Sequence, residues 1–144
     1  MLTRTSLFAV GLTVVAAVGV PRAATQTVTT VLGTGVAGFS DTQVNNPYGI
    51  IVGPDGALYF CDLDNQRIRR FDPVTKKVTT IAGNGEKGYA GDGGPALQAS
   101  LNMPHEIQFD RAGNLYIAER DNHVIRKADP FLKTLTRNFL INDL

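Results

Sequence analysis

Residues 47–72 read PYGIIVGPDGALYFCDLDNQRIRRFD, and residues 104–129 read PHEIQFDRAGNLYIAERDNHVIRKAD. The two stretches align without a gap at a separation of 57 residues, and 10 of the 26 aligned positions are identical. A second pair, VTTVLGTGVAGF from Val28 and VTTIAGNGEKGY from Val78, lies 50 residues apart. Self-similarity on this scale is typical of propellers and other arrays of one supersecondary unit.

Each unit divides into four short predicted strands separated by turn residues. In the first unit the strands are predicted at 48–52, 57–62, 67–71 and 77–82. Pro54-Asp55-Gly56 joins the first two, because proline and glycine supply the fixed and the positive φ of a tight reversal. The Asp64-Asn65 and Asp121-Asn122 pairs are expected to bond local backbone in the next turn of each unit. Four short antiparallel strands predict a propeller blade.

The predicted fold class is therefore all-β, a partial β-propeller of two four-stranded antiparallel blades plus one N-terminal outer strand. The repeat region covers residues 28–129, with these parts: the lone outer strand at 28–32, blade 1 at about 47–82 and blade 2 at about 104–137. Residues 130–144 form a divergent tail. Two blades cannot close a ring of about 4 to 8. We expect a truncated chain or, alternatively, self-association of several copies through open blade edges.

The repeated pattern resembles the NHL repeat. It consists of Pro, Ile, a Gly-x-Leu-Tyr run, an acid, Asn and then Ile-Arg, and it recurs in both units between residues 28 and 129. The resemblance implies blades of a closed propeller, often six, that usually serve as interaction platforms. Some relatives in the gluconolactonase group hydrolyse lactones with a bound divalent metal.

Residues 1–24 have the layout of a signal peptide. Arg4 gives a positive start, residues 7–20 are largely apolar, and Pro21 follows. The apolar run has 14 positions, fewer than the roughly 18 that span a bilayer, so no stable membrane anchor is expected. This predicts a secreted or periplasmic protein. Removal of residues 1–24 leaves 12 basic and 13 acidic residues, a balance that gives no excess of positive charge for binding nucleic acid.

Two glycine motifs match the dinucleotide-binding fingerprint, Gly33-x-Gly35-x-x-Gly38 and its counterpart starting at Gly83. That fingerprint binds pyrophosphate only where a helix opens at the glycines. Residues 89–95 instead read as further loop, so neither nucleotide binding nor any cofactor is predicted. We interpret both motifs as loops that pass from the outer strand of one blade to the inner strand of the next.

Some oxygen-bearing residues near the turns resemble metal ligands. Asp62, Asp64 and Asn65 resemble the start of a calcium loop, but Gln66 and Arg67 follow where a ligand and the turn glycine belong. The glutamate that lactonase-like relatives place near a Gly-Pro pair is absent at Asn46-Pro47-Tyr48-Gly49. No metal site and no catalytic residue is therefore predicted.

His105 and Glu106 stand at the entrance of an inner strand, where a propeller presents side chains to its central funnel. Neighbours on a strand point to opposite faces, so we do not expect them to act as a pair. The possible partner-binding rim consists of His105, Glu106, Asp64, Asn65, Asp121 and Asn122.

A basic cluster and the single cysteine have structural interpretations. The basic cluster Arg67, Arg69, Arg70, Lys76 and Lys77 is interpreted as a solvated strand edge. Cys61, the single cysteine, is interpreted as a small buried hydrophobe.

The predicted function is an exported interaction module for an unknown protein or carbohydrate, since loops on a rigid scaffold carry recognition. The alternative is a truncated piece of a metal-dependent lactonase-like hydrolase.

Overall fold

The computed structural model describes residues 25–129 and Leu135–Thr136, and within these ranges the regular structure is almost entirely strand. The strands of the first sheet are β1 (Pro47–Val52), β2 (Leu58–Asp62), β3 (Arg67–Phe71) and β4 (Val78–Ala82). Those of the second are β5 (Pro104–Phe109), β6 (Leu115–Glu119), β7 (Val124–Ala128) and β8 (Leu135–Thr136). Single 3₁₀ turns occupy Leu63–Asn65 and Ala96–Gln98. In these ranges no helix is long and apolar enough to cross a bilayer.

Each sheet is a four-stranded antiparallel meander, β1-β2-β3-β4 and β5-β6-β7-β8. The first turn of each meander closes in the same way, with Gly53 N–H donating to Ala57 O at 2.8 Å and Asp110 N–H to Asn114 O at 3.0 Å. Gly56 has φ +77° in the first turn, as the sequence predicted for this position. The two predicted propeller blades are therefore confirmed.

The main hydrophobic core lies between the two blades. Because side chains alternate across a strand, one face of blade 1 meets one face of blade 2. Blade 1 contributes buried Cys61 and Ile68, and blade 2 contributes buried Ile107, Leu115 and Ile117. The rings of Tyr59 and Phe109 meet edge to face across this interface, with centroids 4.9 Å apart.

A smaller cluster lies on the other face of blade 1. Phe60, Phe71 and Val78 are buried there, and Leu32 and Val44 of the preceding loop pack against them. The predicted outer strand at 28–32 is wrong: these residues form loop with no strand pairing, and Val28 is fully exposed. A strand needs a hydrogen-bonded neighbour, and the described residues provide none at this edge.

Strand boundaries differ from the sequence predictions by one residue at β1, β2 and β4. In the fourth strand of blade 2, Leu135 pairs with Ala128 and Thr136 with Lys127. The predicted signal peptide at 1–24 and the remainder of the 130–144 tail lie outside the described residues.

Candidate functional site

The same end of both blades carries the predicted site residues. We define this end, the rim, as residues 45–48, 63–66, 102–106 and 120–123. Asn46 and Met103 both have φ +52° immediately before the inner strands, and Gln66 and His123 have φ +53° and +55° after the second strands. This repetition shows that the two halves of the rim share one backbone framework.

A buried acid–Asn–Arg network supports the rim in blade 1. Asp62 is fully buried and accepts a hydrogen bond from Arg69 Nη1 at 3.1 Å, while the Arg69 side chain is itself buried. Asp62 Oδ1 also accepts from the Asn45 amide at 2.7 Å and from Asn65 Nδ2 at 2.9 Å. Asn65 Nδ2 additionally donates to Gly38 O, 27 residues earlier in the chain. The network therefore fixes the loop before β1 onto the turn after β2.

Blade 2 repeats this network with a longer acid. Glu119 accepts from Arg126 Nη1 at 3.2 Å, from Asn122 Nδ2 at 2.6 Å and from the Asn102 amide at 2.9 Å. Asn122 Nδ2 also donates to Gly88 O at 2.8 Å. Arg126 is fully buried and has a second anion, Asp92, at 2.9 Å.

These networks correct two sequence interpretations. Asn65 and Asn122 do not bond local backbone amides; their side chains donate to distant loop carbonyls and to the buried acids. Arg69 does not belong to a solvated strand edge, because it is 2% exposed and ion-paired. The signal that would have identified the networks is the recurrence of an acid, Asn and Arg at spacings of three and four residues in both repeats.

Gln66 joins the two blades at the rim. It is buried, its Oε1 accepts from the Met103 amide at 2.8 Å, and its Nε2 lies 3.7 Å from the Met103 sulfur. The Arg120 amide donates to Met103 O at 3.1 Å. The rim loops of the two blades are therefore held in register by polar contacts as well as by the core.

An aromatic contact lies where the inner strands begin. The rings of Tyr48 and His105 have centroids 4.4 Å apart with an interplanar angle of 35°. His105 Nδ1 is 3.7 Å from Glu106 Oε1, although neighbours on a strand were expected to face apart. That expectation is wrong because a bulge between Pro104 and Glu106 inserts one extra residue opposite β6.

Charged side chains surround this contact. Arg120 donates through Nε to Asp121 Oδ1 at 2.8 Å, and Lys87 Nζ is 3.7 Å from Asp121 Oδ2. The hydrogen bond to Asp121 raises the pKa of Arg120, with smaller contributions from Tyr48 and Asp64. The same hydrogen bond lowers the pKa of Asp121. Asp64 is exposed, so the rim presents mixed charge beside exposed Tyr48.

Cys61 lies in β2, in the core between the two blades, and is fully buried and free of disulfide. Burial, together with the charge of Glu106, raises its pKa to about 12. A thiol with such a pKa is a poor nucleophile at neutral pH, since the thiolate is the reactive form. The geometry therefore assigns Cys61 a packing role.

The glycine-rich loop after β4 continues to β5 through turns that require positive φ. Gly83 and Gly85 have φ +92° and +93°, and the Arg67 guanidinium lies directly over Gly85, donating to Asn84 O at 2.7 Å. Arg67 also lies 4.0 Å from the centre of the Phe39 ring.

Within residues 25–129, no three His, Cys, Asp or Glu side chains converge on a common point as metal ligands.

The face of blade 1 that points away from blade 2 contains an apolar cavity of about 440 Å³. We call this surface the upstream face. Its cavity is lined mainly by side chains of β1, β2, β3 and the preceding loop: Val31, Leu32, Ile50, Leu58, Phe60 and Phe71.

Two consecutive four-stranded meanders packed face to face, with polar rim loops at one end, define a partial β-propeller. No family model matches the sequence. Protein SUPPRESSOR OF QUENCHING 1, chloroplastic, from Arabidopsis thaliana is 33% identical over 90 residues, which cover 62% of this chain and 8% of that protein. Human NHL repeat-containing protein 2 is 30% identical over 95 residues, 60% of this chain and 13% of that protein. Chicken teneurin-1 is 32% identical over 101 residues, which cover 61% of this chain and 4% of that protein.

One solved structure extends the comparison to three dimensions. A protein of unknown function from Bacteroides thetaiotaomicron superposes with a TM-score of 0.55 at 31% identity, covering 60% of this chain and 22% of that one. In its repeat pattern and its blades, the chain is similar to NHL-repeat proteins. The chain spans only about 4–13% of the length of the curated relatives it matches.

Proposed function

We propose that this chain is an exported, non-enzymatic interaction module that binds a protein partner at the rim. The observation that carries the proposal is the ring contact between exposed Tyr48 and half-buried His105, at the end of the blades whose loops the acid–Asn–Arg networks hold. Export is supported by the signal-like layout of residues 1–24.

The composition of the rim favours a protein over other partners. Tyrosine and arginine are enriched at protein interfaces, and both are exposed here as Tyr48 and Arg120. The loops that carry them are held by the networks and by Gln66, so little loop entropy is lost on binding. Loops on such a rigid scaffold are the usual site of recognition.

Site-specific photo-crosslinking in the producing cells tests this proposal. A photoreactive amino acid replaces Asp64 at the rim, or, as a control, Val74 in the turn at the opposite end of blade 1, which is 87% exposed. We expect a discrete adduct from position 64 alone. Adding Arg120→Ala should weaken it, whereas Arg111→Ala, which removes an exposed arginine at the opposite end, should not.

The outcomes separate the competing functions. Equal adducts from both positions, or none from position 64, would overturn the proposal. An adduct removed by glycosidases would assign a carbohydrate partner instead. Clear turnover of a simple lactone by the purified chain with added calcium would overturn the non-enzymatic assignment in favour of a lactonase-like hydrolase. Intact-mass analysis of the exported chain tests cleavage of the leader.

A further inference from the structure

Within residues 25–129, two opposite faces of this two-blade unit are open and largely apolar. The upstream face of blade 1 exposes Ile50 by 68% and Val52 by 62%, next to the 440 Å³ cavity. Blade 2 has a corresponding face on the side away from blade 1, which we call the downstream face and define by Tyr116, Ala118 and Ile125. Ile125 is 56% exposed there.

The sequence repeat relates both open faces to the interface inside the chain. Shifting Ile50, Leu58 and Phe60 of the upstream face by 57 residues gives Ile107, Leu115 and Ile117, which blade 2 packs against blade 1.

The downstream face follows the same rule. Shifting Tyr116, Ala118 and Ile125 back by 57 residues gives Tyr59, Cys61 and Ile68, which blade 1 packs against blade 2. The two open faces are thus counterparts of two surfaces that already fit each other, except that Ile51 of the interface has the exposed Gln108 as its counterpart.

Burial shows how much apolar surface this contact covers. Ile68 is 0% exposed inside the interface, but its counterpart Ile125 is 56% exposed. Ile107 is 6% exposed, but its counterpart Ile50 is 68% exposed. Contiguous exposed apolar surface of this kind marks an interaction site.

We propose that a second copy of this chain occupies the upstream face, with its downstream face packed as blade 1 packs on blade 2. The contact is head to tail, so each copy packs its downstream face on one neighbour and its upstream face against another. Heterologous contacts of this kind generate rings when the rotation closes. Two, three or four copies would supply four, six or eight blades, the range in which propellers close.

Complementation between two variants tests the proposal on the full chain. Ile50→Asp disables only the upstream face, and Ile125→Asp disables only the downstream face. We expect the wild type to form a discrete multiple of the chain mass in light scattering, and each variant alone to be monomeric. Their equimolar mixture should give a complex of two chains, because one intact face of each kind remains.

Matched controls exclude loss of folding as the cause. Val74→Asp places the same charge on an exposed residue outside both faces and should associate as the wild type does. Each variant should retain the far-ultraviolet circular dichroism of the wild type.

Three results would overturn the inference. The first is a wild-type chain that stays monomeric at all concentrations, which would leave the faces to further blades of another polypeptide. The second is an equimolar mixture that remains at monomer mass. The third is either Asp variant alone associating as well as the wild type.

Discussion

Removing the buried carboxylate of blade 1, in Asp62→Ala, is expected to lower the free energy of unfolding by about 3–5 kcal/mol. Asp62 and Arg69 lie 3.1 Å apart, with side chains only 0% and 3% exposed. At an effective dielectric constant of 20, this separation corresponds to roughly 5 kcal/mol of gross attraction. The substitution leaves the arginine charge in the interior without its partner, and the Asn45 amide loses its acceptor.

Urea denaturation followed by circular dichroism, at one fixed protein concentration, measures this effect. The double variant Asp62→Ala/Arg69→Met should recover much of the loss, because it removes the uncompensated charge as well. The matched control is Arg70→Met, which breaks an ion pair to Asp55 whose side chains are 24% and 42% exposed. Solvent screening limits that pair to about 0–1 kcal/mol.

Two results would contradict the reasoning. One is a cost for Asp62→Ala below about 1 kcal/mol, equal to that of the exposed pair. The other is a double variant no more stable than the single one, which would mean that the buried arginine charge has no energetic cost.

Three further perturbations have defined outcomes. Gly83→Ala should lower the free energy of unfolding, measured by urea denaturation, by about 2–5 kcal/mol, since its Cβ would meet a backbone carbonyl at positive φ. The control Gly56→Ala, at positive φ in open space, should lower it by about 1–2 kcal/mol. Equal losses would refute the contribution of the steric clash. Because the pKa of Cys61 is about 12, Ellman's reagent at pH 8 should label it only after unfolding, and rapid native labelling would contradict its burial. Desolvation acts to raise the pKa of Asp55, but hydrogen bonds from Arg70 and Ala57 outweigh it and lower this pKa below 3.8. The Asp55–Arg70 pair therefore stabilises the fold above pH 3.8, and its contribution is lost as the pH falls through the folded pKa. Arg70→Met should accordingly destabilise the protein more at pH 7 than at pH 2.5.

The blades could be predicted from the sequence because their rules are local. Alternation in β2 and the Pro54-Asp55-Gly56 turn each depend on a few adjacent residues. The structure follows both, since alternate β2 side chains join the two different hydrophobic clusters and Gly56 has positive φ. The outer strand at 28–32 could not be decided this way, since a strand exists only with a hydrogen-bonded neighbour. Its match to the fourth strand of blade 1 identified a repeat but not a pairing partner.

The rim, too, could be predicted from the sequence only in part. Sequence comparison identified Asn65 and Asn122 as repeated positions, yet their partners, Gly38 O and Gly88 O, lie 27 and 34 residues away. Likewise, the bulge that brings His105 beside Glu106 arises from the register of β5 against β6.

By itself, the sequence determined that this chain is a doubled four-strand unit, because hydrophobic alternation and turn chemistry act over a few residues. Only the tertiary structure decided which charges are buried, which loops they hold and which two apolar faces remain open. Burial and long-range hydrogen bonds depend on surfaces that meet only once the blades have packed.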